Sequence, residues 1–290
     1  MVFATGLSCP EGPLVLPDGS WLVVEGGTER GCVTRISPDG RQKHVIAKTG
    51  RPNGLATDQH GFIWVAESKT PSLLRLSLDG NVEVVMRECD GEPFLFPNDL
   101  CFGPDGALYL TDSGVLFDQL APGGKTRPDY LNIDYDGRIY HIDVKNQRIK
   151  KLDSGLRCVN GIAFGNDNYL YVNETLTGIV YRYPWLGGDT FGPRQDFGNV
   201  LRPDRSLDWK GPDGMAFGAD GKLYVAVFAQ GNVTVLGRDG QVVNRISTHG
   251  KLPTNVAFGR AGEKRIYVTE YEHGQLETHD VETGGLPLLV

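Results

Sequence analysis

The chain has 290 residues, 40% hydrophobic and 22% charged, with a formal net charge of −7. That composition supplies ample core and argues against disorder, and its excess of acid excludes a surface built to neutralise nucleic-acid phosphates. No run approaches the roughly 20 apolar residues of a membrane helix. The start, MVFATGLSCPEGP, has no basic segment leading into an apolar one. Five cysteines (Cys9, Cys32, Cys89, Cys101, Cys158) lack CxxC spacing and suit a reducing compartment. The expectation is a cytoplasmic protein with no nucleic-acid, membrane or evident protein partner.

In chain order, six segments share one pattern: a polar residue beside Pro or Gly, a short apolar strand, a turn, and a second apolar strand. They are CPEGPLVLPDGSWLVVEG from Cys9, PNGLATDQHGFIWVAES from Pro52, PNDLCFGPDGALYLTDS from Pro97, VNGIAFGNDNYLYVNET from Val159, PDGMAFGADGKLYVAVF from Pro212 and PTNVAFGRAGEKRIYVTE from Pro253. Each continues into a third strand (VTRISPDG, LLRLSLDG, RIYHIDVKN, IVYRYPWLGG, VTVLGRDG, QLETHDVETG), and most into a fourth, such as HVIAKT or VEVVMR. Asp-Gly pairs between alternating apolar runs signal hairpins, and no long window carries a 3.6-residue apolar period. Repetition at this length predicts an all-β, six-bladed β-propeller of four-stranded antiparallel blades, one domain over 1–290. VFATGLSCPEG aligns by eye with HVIAKTGRPNG, so the N-terminal strand is expected to complete the last blade.

Strand alternation then places one polar anchor per unit at a common face: Glu11, Asn53, Asn98, Asn160, Asp213 and Asn255. The loops after each second strand gather there too, bringing Glu67, Asp112, Asn173, Glu174, Glu270 and His273. Two insertions join them, GVLFDQLAPGGKTRPDYLNIDYDG after Ser113 and DFGNVLRPDRSLDWKG before Pro212, as candidates to rim or cover a central pocket. Carboxylate and amide oxygens converging on an axis suit a hard cation. The same residues also serve as ordinary turn formers before a strand. Turn duty, however, does not call for Glu at position 11. No GxSxG elbow, HExxH pair or phosphate loop is present, and Asp134, Asp136 and Gly137 form a turn without the terminal Glu of a calcium loop.

CPEGP, PNGLATD, PNDLCFGPDGALYLTD, VNGIAF and GPDGMAF together resemble the family of senescence marker protein, gluconolactonase and luciferin-regenerating enzyme, across nearly the whole chain. The resemblance implies a six-bladed propeller hydrolase that opens lactones, with organophosphate-hydrolysing relatives. It also implies one divalent ion on the axis, Ca²⁺ foremost, with Mg²⁺, Mn²⁺, Zn²⁺ or Fe²⁺ as alternatives. By motif its ligands fall on Glu11, Asn98, Asn160 and Asp213, and either Asp213 or a metal-bound water is the expected source of the nucleophile.

One position departs from the family. Where sugar-acid lactonases of this family carry an Arg two residues before the blade-three Asn, this chain has Phe96. With Phe94, Leu116, Phe117 and Tyr130 nearby in sequence, an apolar rim favours a less hydroxylated or bulkier lactone, since unpartnered sugar hydroxyls are costly to bury. Arg51, before Pro52-Asn53, is the candidate replacement cation. Asn53, Arg51, Phe96, Asp112, Phe117 and His273 are therefore the expected substrate-binding set. Two alternatives stay open: a phosphorus-ester or fluoride hydrolase at the same ion, and a non-catalytic propeller that binds a ligand through this face.

Overall fold

The computed structural model describes residues 1–203 and 209–289. Six four-strand antiparallel units follow one another around a ring. Blade 1 comprises Pro10–Val15, Trp21–Glu25, Cys32–Ile36 and Lys43–Lys48, paired in that order from the axis outward. Blade 2 repeats this with Pro52–Thr57, Ile63–Glu67, Ser72–Leu76 and Val82–Met86. Blade 3 uses Pro97–Phe102, Leu108–Asp112, Gly137–Asp143 and Arg148–Leu156. Blade 5 uses Gly211–Phe217, Leu223–Phe228, Asn232–Leu236 and Val242–Ser247. In blade 4, Val159–Phe164 and Tyr169–Glu174 precede a long third strand, Ile179–Gly187, whose outer edge takes both Gln195–Asn199 and the short Thr190–Phe191. The second insertion therefore begins as a strand; its residues 204–208 lie outside the described residues.

Blade 6 has only three strands of its own, Pro253–Phe258, Arg265–Glu270 and Gln275–Asp280. The fourth is Val2–Thr5, which pairs Ala4 with Leu276 and Thr5 with Gln275. The N-terminal strand thus closes the ring, as the sequence alignment predicts. A buried hydrogen bond completes the seam on the axis side, Thr254 Oγ1 to the Pro10 carbonyl at 2.7 Å.

Asp-Gly turns explain why these apolar runs fold back on themselves. At Asp105-Gly106 the carboxylate accepts the Ala107 N–H at 3.2 Å, and the glycine sits at φ 73°, where a side chain would be strained. Between the turns the strands bury their apolar faces against the neighbouring blade, and the core divides at the seams. Leu14, Leu22, Val24, Leu55, Val65 and Leu76 fill the seam between blades 1 and 2, and equivalent clusters fill the other five. A further cluster ties the insertion at 114–136 to the ring: Val115, Leu120, Tyr130 and Tyr135 pack on Phe96 and Cys158. The insertion holds one turn of α-helix, Phe117–Leu120, and two 3-10 turns, Pro122–Gly124 and Tyr130–Asn132, and its neck is closed by the Asp136 N–H donating to the Gly114 carbonyl.

Candidate active site

The pairs Val15↔Trp21, Thr57↔Ile63, Phe102↔Leu108, Phe164↔Leu170, Phe217↔Leu223 and Phe258↔Ile266 are equivalent in the six blades. Four positions upstream on each inner strand stand Glu11, Asn53, Asn98, Asn160, Asp213 and Thr254. Five anchors are those the sequence pattern names; the sixth is Thr254 and not Asn255. Asn255 occupies the next position, one layer down the axis, where blades 1, 2, 4 and 5 have glycine and blade 3 has Asp99.

That second layer explains the glycines. A Cβ on Gly214 would lie 1.9 Å from Asn255 Cγ, and one on Gly54 would lie 2.7 Å from Asp99 Oδ1. Two polar side chains fill the layer, so the other blades leave room for them. Asn255 Nδ2 reaches up to donate to Glu11 Oε1 at 2.9 Å, and Asp99 Oδ1 accepts the Leu100 N–H at 2.9 Å.

The anchors are held from neighbouring blades. Asn53 Nδ2 donates to Asn98 Oδ1 at 3.1 Å, while Asn98 Nδ2 donates to Ser113 Oγ at 3.0 Å. Thr111 Oγ1 donates to the Asn160 carbonyl at 2.6 Å, and Asn173 Nδ2 donates to the Asp213 carbonyl. Glu11, Asn98 and Asn160 are buried, whereas Asp213 and Asn53 keep a partial opening to solvent.

Three carboxyl groups share this interior. Burial pushes Glu11 well above the ordinary carboxylate range, and the charges of Asp213 and Asp99 add to it against the Asn255 hydrogen bond. Burial likewise raises Asp213, opposed by a hydrogen bond from Asn160 and reinforced by Asp99. Asp99 is pushed up to about 7 by burial, against the N–H groups of Leu100 and Ile162. Mutually repelling carboxylates of this kind ionise readily only beside a cation. The Asn160 Oδ1 atom is buried with no hydrogen-bond partner, an unfilled acceptor oxygen on the same ring. Among the described residues no cluster of three His, Cys, Asp or Glu side chains is arranged around a metal position. On this ring Glu11, Asn98, Asn160 and Asp213 offer two carboxylates and two amides, which fit a hard divalent ion.

The carboxylates that end the second strands have another task. Asp112 is fully buried and accepts the N–H groups of Leu95, Phe96 and Gly114 at 2.7, 2.9 and 3.0 Å. Glu67 accepts from Arg51 and Lys69, Glu174 from Arg157, and Glu270 from Leu252, Glu272 and His273. Glu25 does the same for Ser8, and in blade 5 the equivalent residue is Val227. These groups latch the loops that lead into the inner strands, which corrects the expectation that Asp112 faces substrate. His273 lies on a loop at the same face with its ring exposed; the structure does not bring it together with the anchors.

Arg51, Phe96 and Phe117 do come together. The Arg51 guanidinium carbon lies 3.4 Å from the Phe117 ring centroid and 5.3 Å from that of Phe96, and the two rings meet edge to face at 5.8 Å. Trp209, just before blade 5, packs on Tyr130 at 5.1 Å, so the described ends of both insertions touch. Sequence reasoning missed Tyr271, whose hydroxyl is hydrogen-bonded to the Cys9 thiol and pushed up to about 12 chiefly by that bond. It missed Asp99 as well, although the D of FPND was a visible signal: no other unit has an acid after its anchor.

Residues 10–272 match the family described as the SMP-30/Gluconolactonase/LRE-like region. The chain belongs to this family. It is 28% identical to diisopropyl-fluorophosphatase of Loligo vulgaris over 95% of this chain and 90% of that one. Against gluconolactonase of Zymomonas mobilis the identity is 25% over 90% and 76%. A 6-deoxy-6-sulfogluconolactonase of Pseudomonas putida is 32% identical over 46% of this chain and 44% of its own. Among solved structures, a calcium-binding protein, regucalcin, from Agrobacterium tumefaciens superposes with a TM-score of 0.80 at 20% identity, covering 99% and 95% of the two chains. That likeness shares the fold of this SMP-30/gluconolactonase family member.

Proposed function

We propose that this family member hydrolyses a lactone to the open hydroxy acid at the axial anchors, with a divalent ion, calcium foremost, held by Glu11, Asn98, Asn160 and Asp213. The observation that carries the reading is the meeting of two mutually repelling carboxylates, Glu11 buried and Asp213 partly open to solvent, with the unpartnered Asn160 Oδ1 on one ring. A divalent ion bound there supplies Lewis-acid polarisation of the ester and stabilises negative charge on its oxygen. Asp213, the acidic anchor open to solvent, accepts a proton from the attacking water and returns it to the departing ring oxygen as the acyl C–O bond breaks. Asn160 orients that carboxylate through its hydrogen bond, and Asn53 fixes Asn98. Phe96, Phe117 and Arg51 form the substrate wall. The family relatives named for gluconolactone substrates support this reading.

Acid release from a panel of γ- and δ-lactones, sugar-derived and alkyl, tests it with chelated protein and after adding back single divalent ions. The expected result is hydrolysis that vanishes on chelation and returns with one ion. A second reading rests on the similarity to diisopropyl-fluorophosphatase along 95% of the chain: hydrolysis of a phosphorus ester or fluoride, with Asp213 attacking phosphorus, expelling the alkoxide or fluoride, and water then cleaving the carboxyl–phosphate bond. Fluoride release from a fluorophosphate, exceeding acid release from every lactone, would select it.

A further inference from the structure

Next to the anchors stands a cation that, among the described residues, makes no ion pair. Arg51 immediately precedes Pro52 and Asn53, and its root is fixed from two sides. Its N–H donates to Glu67 Oε1 at 2.7 Å, and its carbonyl accepts the Ser68 N–H at 3.0 Å and the Ser68 hydroxyl at 2.8 Å. Phe117 covers one face of the guanidinium and Phe96 flanks it. Among the described residues its head makes one hydrogen bond, Nη1 to Ser68 Oγ at 3.2 Å, and no ion pair. Burial lowers its pKa more than the neighbouring Cys9, Tyr271, Glu11 and Glu67 raise it.

A guanidinium has five N–H donors in one plane. Stacking on Phe117 occupies the face and leaves the donor edge directed past the ring. Holding such a cation half-buried with no direct ion pair is costly unless a ligand supplies one. A fixed, planar fork matches the two oxygens of a carboxylate, whereas ring hydroxyls would leave most of its donors unmet. The aromatic walls beside it suit an apolar ring face.

Resting on the lactone reading above, we propose that Arg51 sets substrate specificity by binding a second, ionised carboxylate on the lactone. The substrate class is then the lactone of a dicarboxylic hydroxy acid, sparsely hydroxylated on its ring. The test compares a γ-butyrolactone bearing a ring carboxylate with its hydroxymethyl counterpart, using calcium-loaded wild type, Arg51→Met and Arg51→Lys. Wild type is expected to favour the carboxylate in kcat/KM by about 30-fold, the worth of a charged hydrogen-bond pair. Arg51→Met should collapse that ratio through KM and leave the kcat values of the two substrates close. Arg51→Lys, which keeps charge without the fork, should fall between.

Glutarate binding by calorimetry reads the same subsite without turnover and should weaken at least about tenfold in Arg51→Met. Equal treatment of both lactones by wild type, equal losses on both in Arg51→Met, or unchanged glutarate affinity would overturn the proposal. If no lactone is turned over with any ion, the hydrolase reading falls. The glutarate comparison then decides the anion subsite by itself.

Discussion

The Asp112 carboxyl takes three backbone N–H groups from the chain on both sides of it, and none of its oxygen faces the mouth. Removing it strands buried donors at roughly 1–3 kcal/mol each. Asp112→Ala should therefore destabilise the fold by about 3 kcal/mol in chemical denaturation, with KM at permissive temperature changed less than threefold. A large KM rise in a folded variant would restore Asp112 to the substrate wall. The sequence places Asp112 and Asp213 on the same face, and both as candidates for the site. The register separates them, because one pairs across the top of its blade and the other heads an inner strand. Thr254 was illegible for a related reason: PTN places its amide one residue late, and only the pairing Pro253↔Glu270 shows that the hydroxyl holds the anchor position.

At the scale of elements, the strand Val2–Thr5 contributes little area but joins the two ends of the ring. Phe3 meets Tyr267 edge to face at 5.3 Å, Ala4 is buried, and the Thr278 N–H donates to the Met1 carbonyl at 2.7 Å. Deleting residues 1–5 removes these contacts and bares the edge of Gln275–Asp280, for a loss of about 3 kcal/mol. Scanning calorimetry should show one cooperative transition at lower temperature; an unchanged midpoint would mean that blade 6 closes without this strand. The alignment of VFATGLSCPEG with HVIAKTGRPNG made this element readable. The two insertions were readable only as length. That the first stacks Phe117 on Arg51, and that the second starts as an outer strand, depends on contacts between residues far apart in the chain.

For the molecule as a whole, six seams of apolar packing hold the blades while the axis gathers charge that they cannot neutralise. Repeat length, turn chemistry and alternation made the propeller legible from sequence, because each unit states the same local rule six times. The axial set was legible by motif, but its second layer was not, since glycine there reads as a turn until Asp99 and Asn255 are seen to fill the space. A divalent ion that binds only the folded ring should stabilise it by about 2.7 kcal/mol at a hundred times its Kd. That amounts to roughly 4–5 °C in Tm for a chain of this size. Chelation should lower the midpoint by that amount, and Asp213→Asn should reduce the response to added ion. A midpoint indifferent to every divalent ion would count against an axial site.

The most direct measurement is the rate of lactone opening by wild type and Asp213→Asn, each assayed chelated and then with one divalent ion restored. Turnover in wild type should depend on the ion, and Asp213→Asn should lose about a thousandfold in kcat, within the range seen when a general base is removed. The variant's metal-free Tm should equal or exceed that of wild type, because a strained buried charge has been taken away. Turnover that survives both chelation and the substitution would place the chemistry elsewhere on the propeller and contradict the account.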